Sequence, residues 1–194
     1  MGSFHFCLGV HIKQSEEGVK LSQKQYIEKL LQRYGLQDAN PVSTPVDLNV
    51  KLVADDGHIK PVEKVQYQSM AGSLVYASFA TGPDVSQAVG VLSKFNFAPI
   101  EAHLTAAKHV LRYLKGTINL SFHYKQTENS DIVGFSDADW ASDMDNRHST
   151  TGNVFMMAGG AICWLSQKQS TVAVSTAESE YIALSSAAQE AVWL

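Results

Sequence analysis

The chain has 194 residues, 45% hydrophobic and 18% charged, with a net charge of −4; that is a globular composition long enough for one or two domains with a real core, and it excludes a disordered or low-complexity chain. No apolar run approaches the ~18 residues of a membrane span, and no basic start leads into a long apolar stretch as in a signal peptide, so an intracellular setting away from membranes is expected. Cys7 and Cys163 are the only cysteines and neither belongs to a CxxC, which excludes a disulfide framework or zinc knuckle and suits a reducing compartment.

In chain order, Phe4, Phe6, Leu8, Val10 and Ile12 alternate and predict one half-buried strand. Ser15-Glu16-Glu17-Gly18 is a turn, and Val19 and Leu21 begin the return strand of a hairpin. Ser22, with Gln25 three residues on, has the spacing of a capping box. The helix it opens carries Tyr26, Ile27, Leu30, Leu31 and Tyr34 on one face and is closed by Gly35. Residues 37–66 contain Pro41, Pro45 and Pro61, with a turn at Asp55-Asp56-Gly57, and read as a loop or linker. From Tyr67 the pattern is helical through Met70, Leu74, Ala77 and Thr81, up to a Gly82-Pro83 break. Asp84 is placed to cap a second helix with Val85, Ala88, Val89, Leu92 and Phe95 inward. Pro99 precedes a third, with Leu104, Ala107, Leu111 and Leu114 inward and Gly116 as terminator.

Near Leu120 the period changes to two. Strands are expected at 120–124, 132–139, 153–158, 162–167 and 171–175. A last helix starts at Ser175, with Ala177, Tyr181, Leu184, Ala188 and Ala191 as its apolar face. Charge divides along the same line. Residues 1–130 hold 13 Lys+Arg against 11 Asp+Glu, a balance of +2, and residues 131–194 hold 2 against 8, or −6. A local excess of carboxylates suits a divalent cation better than a bare phosphate.

Two acidic motifs stand in that part: Ser136-Asp137-Ala138-Asp139-Trp140 at a strand end, and Ala177-Glu178-Ser179-Glu180-Tyr181 in the first turn of a helix. Asp137 and Asp139, two apart on a strand, point to one face. Ser175-x-x-Glu178 is also a capping box that needs no metal. Asp143 and Asp145 read as loop charges. An EF-hand reading of Asp137-x-Asp139 fails, because Ala141 and Ser142 occupy positions that require an acid and a glycine. Lys108, Arg112 and Lys115 form a basic stripe at i, i+4 and i+7, either a solvated helix face or a contact for nucleic-acid phosphates.

Taken together, these segments resemble the Pol polyprotein of copia-type (Ty1/copia) LTR retrotransposons. Phe6-Cys7-Leu8-Gly9-Val10 is similar to the FLG segment that follows the reverse-transcriptase palm. Leu21-Ser22-Gln23-Lys24-Gln25-Tyr26-Ile27 and Pro41-Val42-Ser43-Thr44-Pro45 resemble the thumb region. Tyr67-Gln68-Ser69-Met70-Ala71-Gly72-Ser73-Leu74 and Ala102-His103-Leu104-Thr105-Ala106-Ala107-Lys108 resemble the helical connection, and the two acidic motifs resemble the start of the ribonuclease H domain. The resemblance implies an α+β fold: an N-terminal hairpin and helical thumb/connection region, then a partial ribonuclease H-like mixed sheet with one packed helix. It implies boundaries at 1–46 (hairpin and thumb-like helix), 47–66 (linker), 67–118 (connection) and 119–194 (truncated ribonuclease H-like domain).

The resemblance makes Asp137 and Glu178 catalytic and metal-binding positions for Mg²⁺, with Asp139 a further candidate ligand. It makes an RNA–DNA hybrid the partner in the parent element, whose setting is a cytoplasmic particle or the nucleus. The family's polymerase YxDD precedes its FLG segment, and its two later ribonuclease H acids follow the helix; none has a match here, and Ala54-Asp55-Asp56 lacks the tyrosine. The expected function is therefore a reverse transcriptase/ribonuclease H fragment, inactive alone, that self-associates through an uncovered sheet edge. The alternatives are a non-catalytic binding or effector-like module and an inert pseudogene product.

Overall fold

The computed structural model describes residues 5–54, 62–127 and 131–194. Phe4, Asp55-Asp56-Gly57 and Pro61 lie outside them. The chain divides into two units, Met1–Gln126 and Thr127–Leu194. The α+β organisation matches the expectation, and all strand pairings among the described residues are antiparallel.

The first unit opens with β1 (Phe6–Cys7), β2 (Val10–Ser15) and β3 (Gly18–Ser22). The single strand expected through Leu8 is instead a hairpin. Leu8 and Gly9 take φ of 46° and 83°, the conformation of a two-residue turn that matches strand twist. Glycine's freedom at φ > 0 thus overrides the alternation. The turn is held from outside: the Tyr76 hydroxyl donates to the Leu8 carbonyl, and Tyr26 stacks edge-on against Tyr76. A fourth strand, β4 (Phe122–Lys125), pairs with β3. The 120–124 segment was expected to open the C-terminal sheet. Alternation identifies a strand but not its partner, and this one closes the N-terminal sheet.

Helices α1 (Lys24–Arg33), α2 (Lys64–Thr81), α3 (Ser86–Ser93) and α4 (Glu101–Gly116) build one core. Ile27, Leu30 and Leu31 meet Tyr67, Met70, Leu74, Val89, Leu92, Val110 and Leu111 there. The C-terminus of α1 follows the glycine signal. Gly35 has φ of 66°, Leu36 N–H reaches the Leu31 carbonyl at 2.8 Å and Gly35 N–H reaches that of Gln32 at 3.3 Å, a Schellman motif.

Two expected caps are used differently. Ser22 accepts from Lys24 N–H at 3.2 Å, one residue outside the cap position, which Gln23 occupies with no side-chain bond. Asp84 lies in a short 3₁₀ turn, Pro83–Val85, where its carboxylate accepts from the Tyr113 hydroxyl at 2.7 Å. Burial, with the Asp84 carboxylate second, pushes that phenol up to about 12. His103 is fully buried in the first turn of α4. Its Nδ1 accepts from Ile100 N–H at 3.2 Å, which fixes the tautomer so that Nε2–H donates to the Val53 carbonyl at 2.9 Å. The ring stacks on Phe95 at 3.7 Å.

The second unit is a meander of β5 (Val133–Asp139), β6 (Thr150–Met157) and β7 (Gly160–Lys168), followed by α5 (Thr176–Trp193) against β5 and β6. The strand expected at 171–175 does not form. Its backbone is claimed by side chains: the Trp140 indole N–H donates to the Ala173 carbonyl at 3.2 Å and Val174 N–H donates to Glu178 at 2.7 Å.

The apolar face expected for α5 points outward. The buried stripe is Ser179, Ala183 and Ala187, while Tyr181 and Leu184 are exposed. The reason lies in the sheet, which supplies the volume itself. Phe155 lies over Gly134, so closely that a β-carbon there would stand 2.5 Å from the ring. The helix can then approach only through small residues.

We expect His103→Leu to destabilise the first unit by about 1–3 kcal/mol, since it strands the buried Ile100 N–H and Val53 carbonyl. Urea unfolding followed by circular dichroism reads this, and an unchanged midpoint would show that neither bond matters.

Candidate functional site

Strand register determines where the β5 carboxylates stand. Gly134, Phe155 and Cys163 lie side by side across the sheet. The Cys163 thiol donates to Glu190 of α5 at 3.0 Å, so this row faces the helix. Alternation then puts Ser136 and Ala138 on the helix side, and Phe135, Asp137 and Asp139 on the opposite face. Asp137 is exposed, paired in register with Gly152, and its carboxylate has no partner among the described residues. Asp139 stands at the end of the strand, opposite Thr150.

Glu178 is in the first turn of α5. Its N–H donates to the Ser175 hydroxyl at 3.2 Å, and its carboxylate accepts from Val174 N–H at 2.7 Å. This is a reciprocal box displaced by one residue, because the carboxylate takes the N–H before the cap residue. The structure thus brings Asp137 and Asp139 onto one face and commits the Glu178 carboxylate to its own helix start. Among the described residues, no group of three or more His, Cys, Asp or Glu side chains is placed to hold a metal ion. Hard carboxylate oxygens suit Mg²⁺ in kind; their number falls short of a two-metal site.

The basic stripe of α4 has two anchored members. Arg112 Nε donates to the Asn40 carbonyl at 2.6 Å and Lys115 Nζ to that of Ala39 at 2.7 Å. His109 Nε2 holds the Thr44 carbonyl at 2.9 Å from the same helix. Lys108 is exposed. This face of α4 fastens the 39–44 segment.

Three groups were not foreseen as structural centres. Asp143, expected as a loop charge, is buried and paired with Lys168 at 3.0 Å. It also accepts from Asp145 N–H at 3.0 Å, an Asx turn inside the β5–β6 loop. Buried Gln169 donates both to Thr151 of β6 at 3.0 Å and to the Ser179 carbonyl of α5 at 2.9 Å. Cys163 is held up at about 11, by burial first and then by the Glu190 carboxylate. Neither Gln169 nor Cys163 carries a sequence signal, because each depends on a partner distant in the chain.

No family model matches the chain, and neither does any solved structure. Curated relatives do. The chain is 41% identical over its whole length to the Retrovirus-related Pol polyprotein from transposon TNT 1-94 of Nicotiana tabacum, covering 15% of that protein. It is 39% identical over 98% of its length to the Retrovirus-related Pol polyprotein from transposon RE1 of Arabidopsis thaliana, covering 13% of it. Over 69% of its length it is 47% identical to Secreted RxLR effector protein 161 of Plasmopara viticola, covering 94% of that shorter protein. The chain therefore spans only about one seventh of the two polyproteins.

Two expectations follow from the geometry. Glu178→Ala should cost the second unit about 0.5–2 kcal/mol through the lost cap, and Ser175→Ala about the same. In a double-mutant cycle the two losses should be strongly non-additive; additive losses in thermal unfolding would contradict the reciprocal box. Cys163 should resist iodoacetamide at pH 8, where a thiol with a pKa near 11 is about one part in a thousand thiolate. Glu190→Gln should speed its labelling, as read by peptide mass spectrometry, and an unchanged rate would rule out the carboxylate's influence.

Proposed function

The chain belongs to the Pol polyprotein family of copia-type retrotransposons, and from that premise we propose that it is the reverse-transcriptase thumb and connection joined to the start of a ribonuclease H domain, without catalytic activity by itself. The observation that carries this reading is the order of the second unit: three antiparallel strands with Asp137 near the end of the first, then a helix with Glu178 in its first turn. Cleaving an RNA strand needs an activated water and a stabilised leaving oxyanion, which two Mg²⁺ ions about 3.5–4 Å apart supply. Asp137 and Asp139 would offer hard oxygens to one ion on the face away from α5, and Glu178, held by Val174 N–H at the start of α5, would not join them in this arrangement. That is too few ligands for the pair of ions, so the reading assigns the chain ancestry in hybrid cleavage and no turnover.

The same reading makes nucleic-acid binding weak. Of the three basic residues of α4, Arg112 and Lys115 hold the 39–44 segment and exposed Lys108 has no such tie among the described residues. Few neutralised phosphates give low affinity and a shallow salt slope. An intracellular setting, with an RNA–DNA hybrid as the parent element's partner, belongs to this proposal too. A second reading has its own support. The relative named as an effector is covered over 94% of its length, so a protein little longer than the matched segment carries a related sequence. That favours a non-catalytic module.

The test is incubation with a labelled RNA–DNA hybrid and Mg²⁺. The expected result is no cleavage above buffer and no primer extension. Hybrid-specific cleavage abolished by Asp137→Asn would overturn the claim of inactivity.

A further inference from the structure

We propose that the outward face of the β1–β4 sheet binds single-stranded nucleic acid, with phosphates on Lys13, Lys20 and Lys125 and a base stacked on Phe6. The surface lies in the first unit, whereas Asp137 and Glu178 lie in the second. The inference therefore goes beyond the hybrid-cleavage reading and does not rest on it.

Register builds this face. Residues paired directly across antiparallel strands point the same way. Lys13 of β2 is paired with Lys20 of β3, and Lys20 with His123 of β4. The row on one side brings Phe6 of β1 beside His11, and the row on the other side ends in Lys125 of β4. Lys13, Lys20 and Lys125 are exposed, His123 is half-buried, and Phe6 shows 47% of its surface. The opposite face carries Val10, Ile12, Val19, Leu21, Phe122 and Tyr124, all half-buried. The basic side is thus the outer one.

Charge decides what can meet it. The three lysines share the face with two histidines and no acid; Glu16 and Glu17 stand beyond it, in the turn between β2 and β3. Among the described residues, no ion pair or hydrogen bond engages the ammonium groups of Lys13, Lys20 and Lys125. Lys13 and Lys20 are direct cross-strand neighbours, with β-carbons about 4.5–5.5 Å apart, and like charges so placed destabilise a sheet. Lys125 is diagonal to Lys20, at about 7–8 Å. An anion lying among the three removes the repulsion. A protein layer could cover this face only by bringing carboxylates of its own, so the need for an anionic partner holds whatever chain adjoins the sheet.

Phe6 selects among anions. Carboxylates would use the lysines alone. Single-stranded nucleic acid uses both features, setting phosphates on cations and bases on aromatic rings. A duplex keeps its bases stacked on one another and offers the ring no free face. Three neutralised phosphates give a slope of log affinity against log salt of about −2, from about −0.7 for each on a single strand. Binding is therefore weak at physiological salt and tightens as salt is lowered.

Fluorescence anisotropy of the full chain with a labelled oligothymidylate of about 12 nucleotides tests this. We expect saturable binding at low salt with a slope of about −2. Lys20→Ala should reduce the slope by about 0.7 and Lys20→Arg should keep it, while Lys29→Ala, at an exposed site on α1, should change neither slope nor affinity. Phe6→Leu should weaken binding by at least about fivefold with the slope unchanged, and should not affect an abasic oligomer of the same length. Circular dichroism checks that each variant keeps its fold, and Lys13→Ala repeats the charge test on a second strand. No binding at low salt, equal losses from Lys20→Ala and Lys29→Ala, an indifferent Phe6→Leu, or tighter binding to a duplex of equal charge would each overturn the proposal. So would self-association that Lys20→Ala abolishes, without binding to the oligomer, which would give the face to an acidic protein surface instead.

Discussion

A connecting segment has no helix or ladder to satisfy its peptide groups, and water cannot serve those that lie against a core. In this protein that need is met by single side chains projected from helices and strands. His103 of α4 holds Val53 as well as Ile100 at its own helix start, and Arg112, Lys115 and His109 hold the carbonyls of Asn40, Ala39 and Thr44. Trp140 and Glu178 secure Ala173 and Val174 in the second unit, and Gln169 ties the end of β7 to α5. Val46, Leu52 and Val62 add apolar contact beneath the long connection between α1 and α2. The 37–66 stretch, which shows little periodicity, is thereby fixed along much of its described length.

This constraint accounts for what was legible in the sequence. Periodicity located the helices of the first unit and nearly all of their buried residues, because Ile27, Leu30, Leu31, Val89, Leu92, Leu111 and Leu114 are inward both by pattern and in the structure. Gly35 and the Gly82-Pro83 break were legible because each follows from backbone stereochemistry alone. Partners were not legible. β4 has the alternation of any strand, and only the fold pairs it with β3. For α5 the larger apolar residues marked the wrong face. Hydrophobicity identifies what would gain from burial, whereas close packing decides which side fits, and a sheet filled by Phe155 admits alanine and serine.

The same logic separates the candidate site residues. A residue type chosen for chemistry and one chosen for backbone satisfaction can look identical in sequence. Glu178 is such a case, since a glutamate at that helix position is favoured with or without a metal. Arg112 and Lys115 are another, since a basic stripe and a set of carbonyl clamps share one spacing. Each has a structural use that explains its presence.

Asp137 has none. Aspartate is among the residues depleted in strands, on a scale spanning about 1 kcal/mol. Here it stands within β5 on the face away from α5, with no cap, ion pair or hydrogen bond for its carboxylate among the described residues. Asp139 at the strand end and Asp143 in the loop need no such account, the second because it organises the turn and pairs with Lys168. A residue that works against its own secondary structure and receives nothing from its neighbours is where sequence and fold disagree, and such places are expected to be functional or strained. The functional argument for this chain therefore rests more firmly on Asp137 than on Glu178, although the two motifs are equally conspicuous in the sequence.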